Sequence, residues 1–337
     1  MKGPVPVTLV TGFLGAGKTT LLNQLLKAGT GKRFAIIENE YGDIGMDGDL
    51  LRAPQDTVFE LNDGCVCCTV RDDLLVVFEQ LAERQGEFDH IIIETTGLAD
   101  PVPVMSIFEK YPARNFFSLD GVVTVIDAGH LEQSLAEVDA CAEQITFADL
   151  LILNKSDTQP DHALNAAEAR LKSLNPLARI IRAEHARVDA EDVLNLGGQL
   201  LGARGQKNDH DHHHEHHEHH EHQHDDEIQS VVVEADGNVD VEALDLWLGD
   251  LTRRTDLTLL RMKGILAIPG HPQRFVLHGV RKVVDVRPQL PWASEHRKSQ
   301  IVFIGRGLDQ ATLQTEFSAC IEAQAPSPSG RLLQKRH

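Results

Sequence analysis

The chain has no apolar run approaching the 18 or more residues that cross a bilayer. Its first residues also lack the basic stretch, apolar stretch and cleavage site of a secretion signal, because a strand and a glycine loop begin almost at once. A membrane association is therefore not expected, and a cytoplasmic location is. Positive charge is short as well: 32 Lys and Arg stand against 51 Asp and Glu, for a formal net charge of -19, with no long basic run. Such a balance repels a phosphate backbone, so nucleic acid is not an expected partner. Cysteine is scarce, five in 337 residues, and the spacing is not that of a disulfide scaffold. Three of the five, Cys65, Cys67 and Cys68, lie within four residues, which in a reducing compartment favours metal or thiol chemistry. Cys141 and Cys320 sit in apolar, helix-like surroundings and read as buried small hydrophobes.

What is present begins with Gly12, Phe13, Leu14, Gly15, Ala16, Gly17, Lys18 and Thr19, a complete GxxxxGK[ST] pattern. It lies between the apolar run Val7–Val10 and the helical Thr20–Lys27, the strand–loop–helix setting that the pattern needs. Glycines let the backbone wrap around phosphates and present N–H groups to them, and the helix start adds a favourable dipole. Lys18 can reach the terminal phosphates, the Thr19 hydroxyl can hold Mg2+, and Thr20 completes the phosphate-binding residues. Nucleoside triphosphate binding is the expectation from which the rest proceeds.

Further short apolar runs each end in polar residues, as strands of a parallel sheet do when ligands collect at their carboxyl ends. Phe34–Ile37 leads to Glu38–Asn39–Glu40–Tyr41–Gly42, and Thr57–Leu61 leads to the cysteines and then to a helix over Thr69–Ala82. Phe88–Ile93 delivers Glu94, Thr95, Thr96 and Gly97, where a carboxylate can serve Mg2+ and a glycine N–H can sense the γ-phosphate. Val122–Ile126 ends in Asp127, and Leu150–Leu153 ends in Asn154, Lys155, Ser156 and Asp157. Asp157 can accept from both guanine N1–H and the exocyclic amine, a pair of donors adenine lacks, so the ligand narrows to GTP. Asn154 can brace the loop and contact the base, while the Lys155 stem can cover its face. Arg182–Ala183, after a last strand at Ala178–Ile181, can close the guanine pocket.

Composition changes at residue 196. Residues 196–227 read as a flexible linker with ten histidines: His210, His212, His213, His214, His216, His217, His219, His220, His222 and His224. Mixed with eight Asp and Glu, they favour weak, interchangeable binding of Zn2+, Ni2+ or Co2+. Residues 1–195 form the nucleotide domain, 228–322 a smaller α+β module, and 323–337 a tail. In the module, strands are expected at Ile228–Glu234, Leu259–Ile268, Phe275–Val286 and Gln300–Ile304, with helices at Val239–Leu251 and Asp309–Ile321. Arg261, Lys263, His278, Arg281 and Arg306 there read as interface residues or, more simply, as a solvated sheet face. The fold class is α/β: a mainly parallel central sheet, then an α+β domain with an antiparallel sheet.

The five nucleotide-domain motifs, in this order, resemble the CobW-type family of P-loop GTPases, the YjiA/CobW-like metallochaperones. Arg261–Met262–Lys263–Gly264, His278–Gly279–Val280 and Ile301–Arg306 resemble the same family's C-terminal domain, so the likeness runs over residues 5–322. It implies Mg2+-dependent GTP hydrolysis coupled to handling of a transition metal, most often zinc, with cobalt in another branch. Carried onto this chain, Thr19 and Glu94 serve Mg2+, Glu38–Gly42 lie in a nucleotide-responsive loop, and Cys65, Cys67 and Cys68 form the metal motif. Glu38, Glu40, a water or the acceptor protein can complete the metal site, and Glu40 or a residue supplied by a partner can orient the attacking water. Expected partners are GTP and GDP, a metal-dependent client protein and, in one arrangement, a second copy of the chain. A zinc buffer or sensor, a cobalt chaperone, and a regulatory GTPase without metal are the competing readings. Tyr41 and Ser156 stand where the family frequently has Phe and Thr, and neither change removes a charge or a ligand.

Overall fold

A computed structural model describes residues 4–38, 57–60, 69–95, 97, 100–108, 113–196, 228–292 and 297–321. The nucleotide domain alternates strands and helices: β1 (Val5–Gly12), α1 (Lys18–Lys27), β2 (Phe34–Glu38), β3 (Thr57–Glu60), α2 (Thr69–Glu83), β4 (His90–Glu94) and α3 (Val102–Met105). It continues with β5 (Phe117–Asp127), α4 (Leu131–Glu137), α5 (Asp139–Phe147), β6 (Leu150–Asn154), α6 (Asp161–Leu174), β7 (Arg179–Arg182) and α7 (Ala190–Val193). The seven strands form one parallel sheet in the order β3-β2-β4-β1-β5-β6-β7. Its inner strands are largely apolar because both faces are covered, and buried Thr8 and His90 on neighbouring strands bond to each other. Val7, Leu9, Ile91 and Ile93 bury on one face, and Val10 and Ile92 on the other against Leu21, Leu22 and Leu25 of α1.

Connections leave β1 toward β2 on one side and β5 toward β6 on the other. The loop after β1 therefore opens at the point where the winding reverses, the crevice in which open α/β sheets bind ligands. Leu196 is still packed in this core, with its side chain against Gly121, so the domain reaches one residue past the boundary expected from composition.

The second domain runs β8 (Gln229–Asp236), α8 (Val241–Leu251), β9 (Thr258–Ala267), β10 (Gln273–Val280), β11 (Val283–Pro291), β12 (Lys298–Arg306) and α9 (Gln310–Ala319). Its antiparallel sheet has the order β11-β10-β9-β12-β8. Asp240 caps α8 by accepting from the N–H groups of Glu242 and Ala243, and Asp309 caps α9 through Thr312 N–H. Both helices cover one face, where Leu244, Leu248, Leu313 and Phe317 meet Val233, Leu266 and Phe303. The expected single strand Phe275–Val286 is in fact two, β10 and β11, joined at Arg281–Lys282 with Arg281 at φ 51.

The other face is not wet. Leu260, Val280, Val302 and Ile304 share a core cluster with Phe108, Phe147 and Val104 of the first domain. A bulge makes this possible: β12 pairs Ile304 with Arg261 and Gly305 with Leu259, leaving Leu260 as the extra residue. Arg261 and Lys263 then bury against the nucleotide domain, where both meet Asp149. The solvated-face expectation for these two residues is corrected by that contact. Among the described residues no helix is long and apolar enough to cross a membrane.

Candidate functional site

The loop after β1 is shaped by backbone geometry that favours glycine. Gly17, at φ 110, stands before the first turn of α1, and a Cβ there would lie 2.5 Å from the Asn154 side-chain nitrogen. Asn154 ends β6 and spends both ends of its amide on bracing. Its nitrogen donates to Ala16 O at 2.8 Å, and its oxygen accepts from Ala186 N–H at 2.7 Å. The phosphate loop and the loop after β6 are thus tied through one buried side chain.

Lys18 is buried, and its ammonium donates to the carbonyls of Gly12 at 2.9 Å and Phe13 at 3.3 Å. Burial lowers its pKa, with the Glu94 carboxylate working in the opposite direction. The Thr19 hydroxyl donates to Glu94 Oε1 at 3.2 Å, which joins the helix start to the end of β4. Two hard oxygen donors at a phosphate loop are the chemistry that Mg2+ takes, so the pair fits that ion. Gly97 follows β4 and lies against the loop itself: a Cβ on it would come within 2.7 Å of Leu14 N.

Lys155, at φ 58, directs its ammonium to Asp127 Oδ2 at 2.7 Å, and His130 Nδ1 lies 3.1 Å from the same oxygen. Burial raises the Asp127 carboxyl, but Lys155, the Gly129 N–H and His130 bring it below its ordinary value. Asp127 stands beside Asn154 in the β5–β6 register. Sequence reading marked it only as a strand end, because strand neighbours far apart in the chain carry no local signal. On the outer side, Ser156, Asp157, Arg182, Ala183 and Glu184 help line a cleft of about 590 Å³. Ser156 N–H and hydroxyl both donate to Ala183 O, so Arg182–Ala183, the segment expected to close a guanine pocket, lies in this cleft beside Asp157.

A second cavity of about 300 Å³ adjoins Phe13, Leu14 and Gly15 and extends to Asp127, Cys141 and Gln144. Leu14 is 80% exposed at the tip of the loop. Gln144, on α5, donates its amide to Gly97 O at 3.2 Å. No sequence signal singles it out, since a lone glutamine in a helix is ordinarily a solvated one. Cys141 is buried as expected, and burial pushes its thiol up to about 11, far from thiolate reactivity.

Of the expected metal ligands, Cys65, Cys67, Cys68, Glu40 and the ten histidines from His210 to His224 lie outside the described residues, and Glu38 is described in its backbone alone. That backbone places Glu38 in register with Glu94 on one side and Glu60 on the other. The carboxyl end of β3 at Glu60 thus lies at the same end of the sheet as the phosphate loop. Among the described residues no group of three or more His, Cys, Asp or Glu is arranged to hold a metal.

Comparison with known proteins agrees with this geometry. The family model described as the CobW/HypB/UreG nucleotide-binding domain matches residues 6–182. A second, the cobalamin synthesis protein cobW C-terminal domain, matches residues 228–321. The zinc chaperone CobW of Sinorhizobium sp is 36% identical, over 95% of this chain and 98% of its own. The zinc chaperone YjiA of Escherichia coli is 32% identical, over 94% and 98%. The crystal structure of Zn(II)-bound YjiA GTPase from E. coli superposes with a TM-score of 0.70 at 29% identity, covering 95% of this chain and 99% of that one.

Proposed function

The chain belongs to the CobW family of P-loop GTPases, which are GTP-hydrolysing metallochaperones, and from that premise we propose that its cargo is zinc and that GTP hydrolysis times the metal's release to a client protein. The observation that carries the nucleotide half is the 3.2 Å contact between Thr19 and Glu94 beside a buried Lys18. The reaction is attack of water on the γ-phosphate of GTP. The N–H groups of Phe13–Thr19 cradle the phosphates, and Lys18, released from Gly12 and Phe13, stabilises the charge that develops on the transferred group. Thr19 and Glu94 would hold Mg2+, which when bound neutralises phosphate charge. Gly97 N–H senses the γ-phosphate, Asp157 selects guanine, Asn154 and Lys155 hold the base-side loop, and Glu40 orients the water.

Zinc as cargo rests on donor chemistry and on relatives named zinc chaperones. Cysteine thiolates are soft, tight zinc ligands, yet the adjacent Cys67 and Cys68 cannot readily occupy two vertices of one ideal tetrahedron. Incomplete local coordination, finished by Glu38, Glu40 or the client, suits transfer better than storage. The histidine tract gathers metal weakly. GTP closes the Glu38–Gly42 and Cys65–Cys68 segments around the metal, and hydrolysis opens them.

Zinc affinity and off-rate, measured with a non-hydrolysable GTP analogue and with GDP, test the coupling; equal values in the two states overturn it. Lys18→Ala abolishes turnover in the same preparation, and retained turnover removes Lys18 from its role. Metal passing from the loaded protein to an apo-client on GTP addition separates delivery from buffering.

A further inference from the structure

The second domain grips the nucleotide domain close to the segment that follows Glu94. Helix α5 lies between them and is held at several points. Toward the site, Gln144 donates to Gly97 O, and the Gln144 carbonyl accepts from the Thr124 hydroxyl at 2.9 Å. Toward the second domain, Arg261 donates to Phe147 O, and both Arg261 and Lys263 meet Asp149, just beyond the helix. Asp149 is anchored in turn by Val122 N–H at 2.8 Å. The β10–β11 turn adds a direct contact: Arg281 reaches Asp100 at 3.0 Å and lies 3.7 Å from Glu143 of α5. Its backbone N–H is pinned to Leu260 O. Asp100 itself, three residues after Gly97, accepts from Val102 N–H at the start of α3.

We propose that Gln144 and Arg281 are positioning residues for GTP hydrolysis, tying Gly97 and Asp100 to the C-terminal sheet so that docking of that sheet sets where Gly97 lies against the phosphate loop. The inference rests on the assignment of Gly97 to the terminal phosphate. The clearance there is small, since Gly97 has no room for a Cβ beside Leu14. A shift of that peptide therefore either withdraws its N–H from the phosphate or drives it into the loop. Because coupling is reciprocal, a nucleotide that moves Gly97 loads or relaxes the interface through the same contacts. The device gives the C-terminal domain authority over turnover without contributing any group to the chemistry.

The test uses the full chain and the variants Gln144→Met, Arg281→Ala, Arg281→Lys and Asp100→Asn, with GTP turnover, GDP affinity, melting temperature and hydrogen exchange read on each. Gln144→Met removes the amide donor at nearly constant volume and lowers kcat about tenfold while GDP affinity stays within about twofold. Arg281→Ala, on a partly exposed ion pair, lowers kcat about two- to fivefold, and Arg281→Lys restores it. Arg281→Ala combined with Asp100→Asn, which keeps the acceptor for Val102, falls no further than either single change. In wild type, exchange at Leu260–Lys263 and Val280–Lys282 differs between the GTP-analogue and GDP states, and Gln144→Met erases that difference. Unchanged kcat in both Gln144→Met and Arg281→Ala overturns the proposal. So does a nucleotide-dependent exchange difference that survives Gln144→Met, or a kcat loss matched by equal losses of GDP affinity and melting temperature. If wild type fails to hydrolyse GTP, it is the reading of the site that has failed.

Discussion

Removing the Asp149 carboxylate is the sharpest probe of how the two domains are joined. Asp149, Arg261 and Lys263 are 6%, 4% and 10% exposed in their side chains, so the three charges meet almost out of water. Burial pushes the Asp149 carboxyl up, and the two cations more than reverse this, holding it well below the usual carboxylate range. Lys263 is pushed down to about 8 by burial and by Arg261, against the pull of Asp149. In Asp149→Ala, Lys263 can shed its proton, while the buried Arg261 guanidinium is left with Phe147 O as its partner among the described residues. Val122 N–H loses its acceptor too. Breaking a buried pair by deleting one partner costs about 3–5 kcal/mol. At about 2–4 °C per kcal/mol for units of this size, the melting temperature falls by roughly 6–20 °C. Scanning calorimetry reads the change, and the transition splits as the domains uncouple. Replacing all three together, Asp149→Leu with Arg261→Leu and Lys263→Met, recovers most of the loss, since apolar groups of similar volume carry no desolvation penalty. A single variant that melts with the wild type, or a triple variant no better than the single one, refutes this account of the interface.

Three further outcomes are expected. Gly97→Ala lowers GTP turnover at least about tenfold with GDP affinity much less affected, because the new Cβ meets backbone atoms Leu14 N, Leu14 Cα and Phe13 C at 2.7, 3.0 and 3.2 Å; steady-state turnover and GDP titration check this, and normal turnover contradicts it. ITP, which lacks the exocyclic amine, binds about 10- to 100-fold more weakly than GTP in wild type and equally in Asp157→Ala, a difference that nucleotide competition measures. Acid sensitivity follows from His90, which is buried beside Thr8 Oγ1 at 2.8 Å and lowered from 6.5 to about 3 by burial. Between those values the unfolded chain binds a proton that the folded one refuses, so stability falls with decreasing pH, by up to about 1.4 kcal/mol per unit. Half-buried His278, facing Lys263, Asp149, Arg261 and Arg287, is likewise lowered to about 3. His90→Gln keeps a partner for Thr8 and flattens the slope; urea unfolding at pH 7 and pH 4.5 with identical losses in both proteins argues against the assignment.

The parallel sheet, the phosphate loop and the order of site residues were legible because each is a local matter. Buried parallel strands are continuously apolar, glycines mark where the backbone must turn back on phosphate, and polar residues follow each strand at its carboxyl end. Lys18, Thr19, Glu94, Asn154 and Asp157 could be named from such patterns alone. That Asn154 braces its loop was legible too, but its partners were not, since its two amide bonds join Ala16 and Ala186, which lie 138 and 32 residues away. The Arg281–Lys282 turn was equally hidden, with no Gly, Pro or Asn to mark it and a positive φ carried by an arginine.

Amino-acid order by itself determined the nucleotide chemistry, because a phosphate loop needs its glycines, lysine and threonine within eight adjacent positions. Tertiary structure alone decided which distant groups meet: Gln144 at Gly97, Lys155 on Asp127, and Arg261 and Lys263 buried on Asp149. The physical reason lies in desolvation. Arginine and lysine on an alternating strand look the same whether the face they share is wet or covered, and only the arrival of a second domain carrying one buried carboxylate makes them an interface.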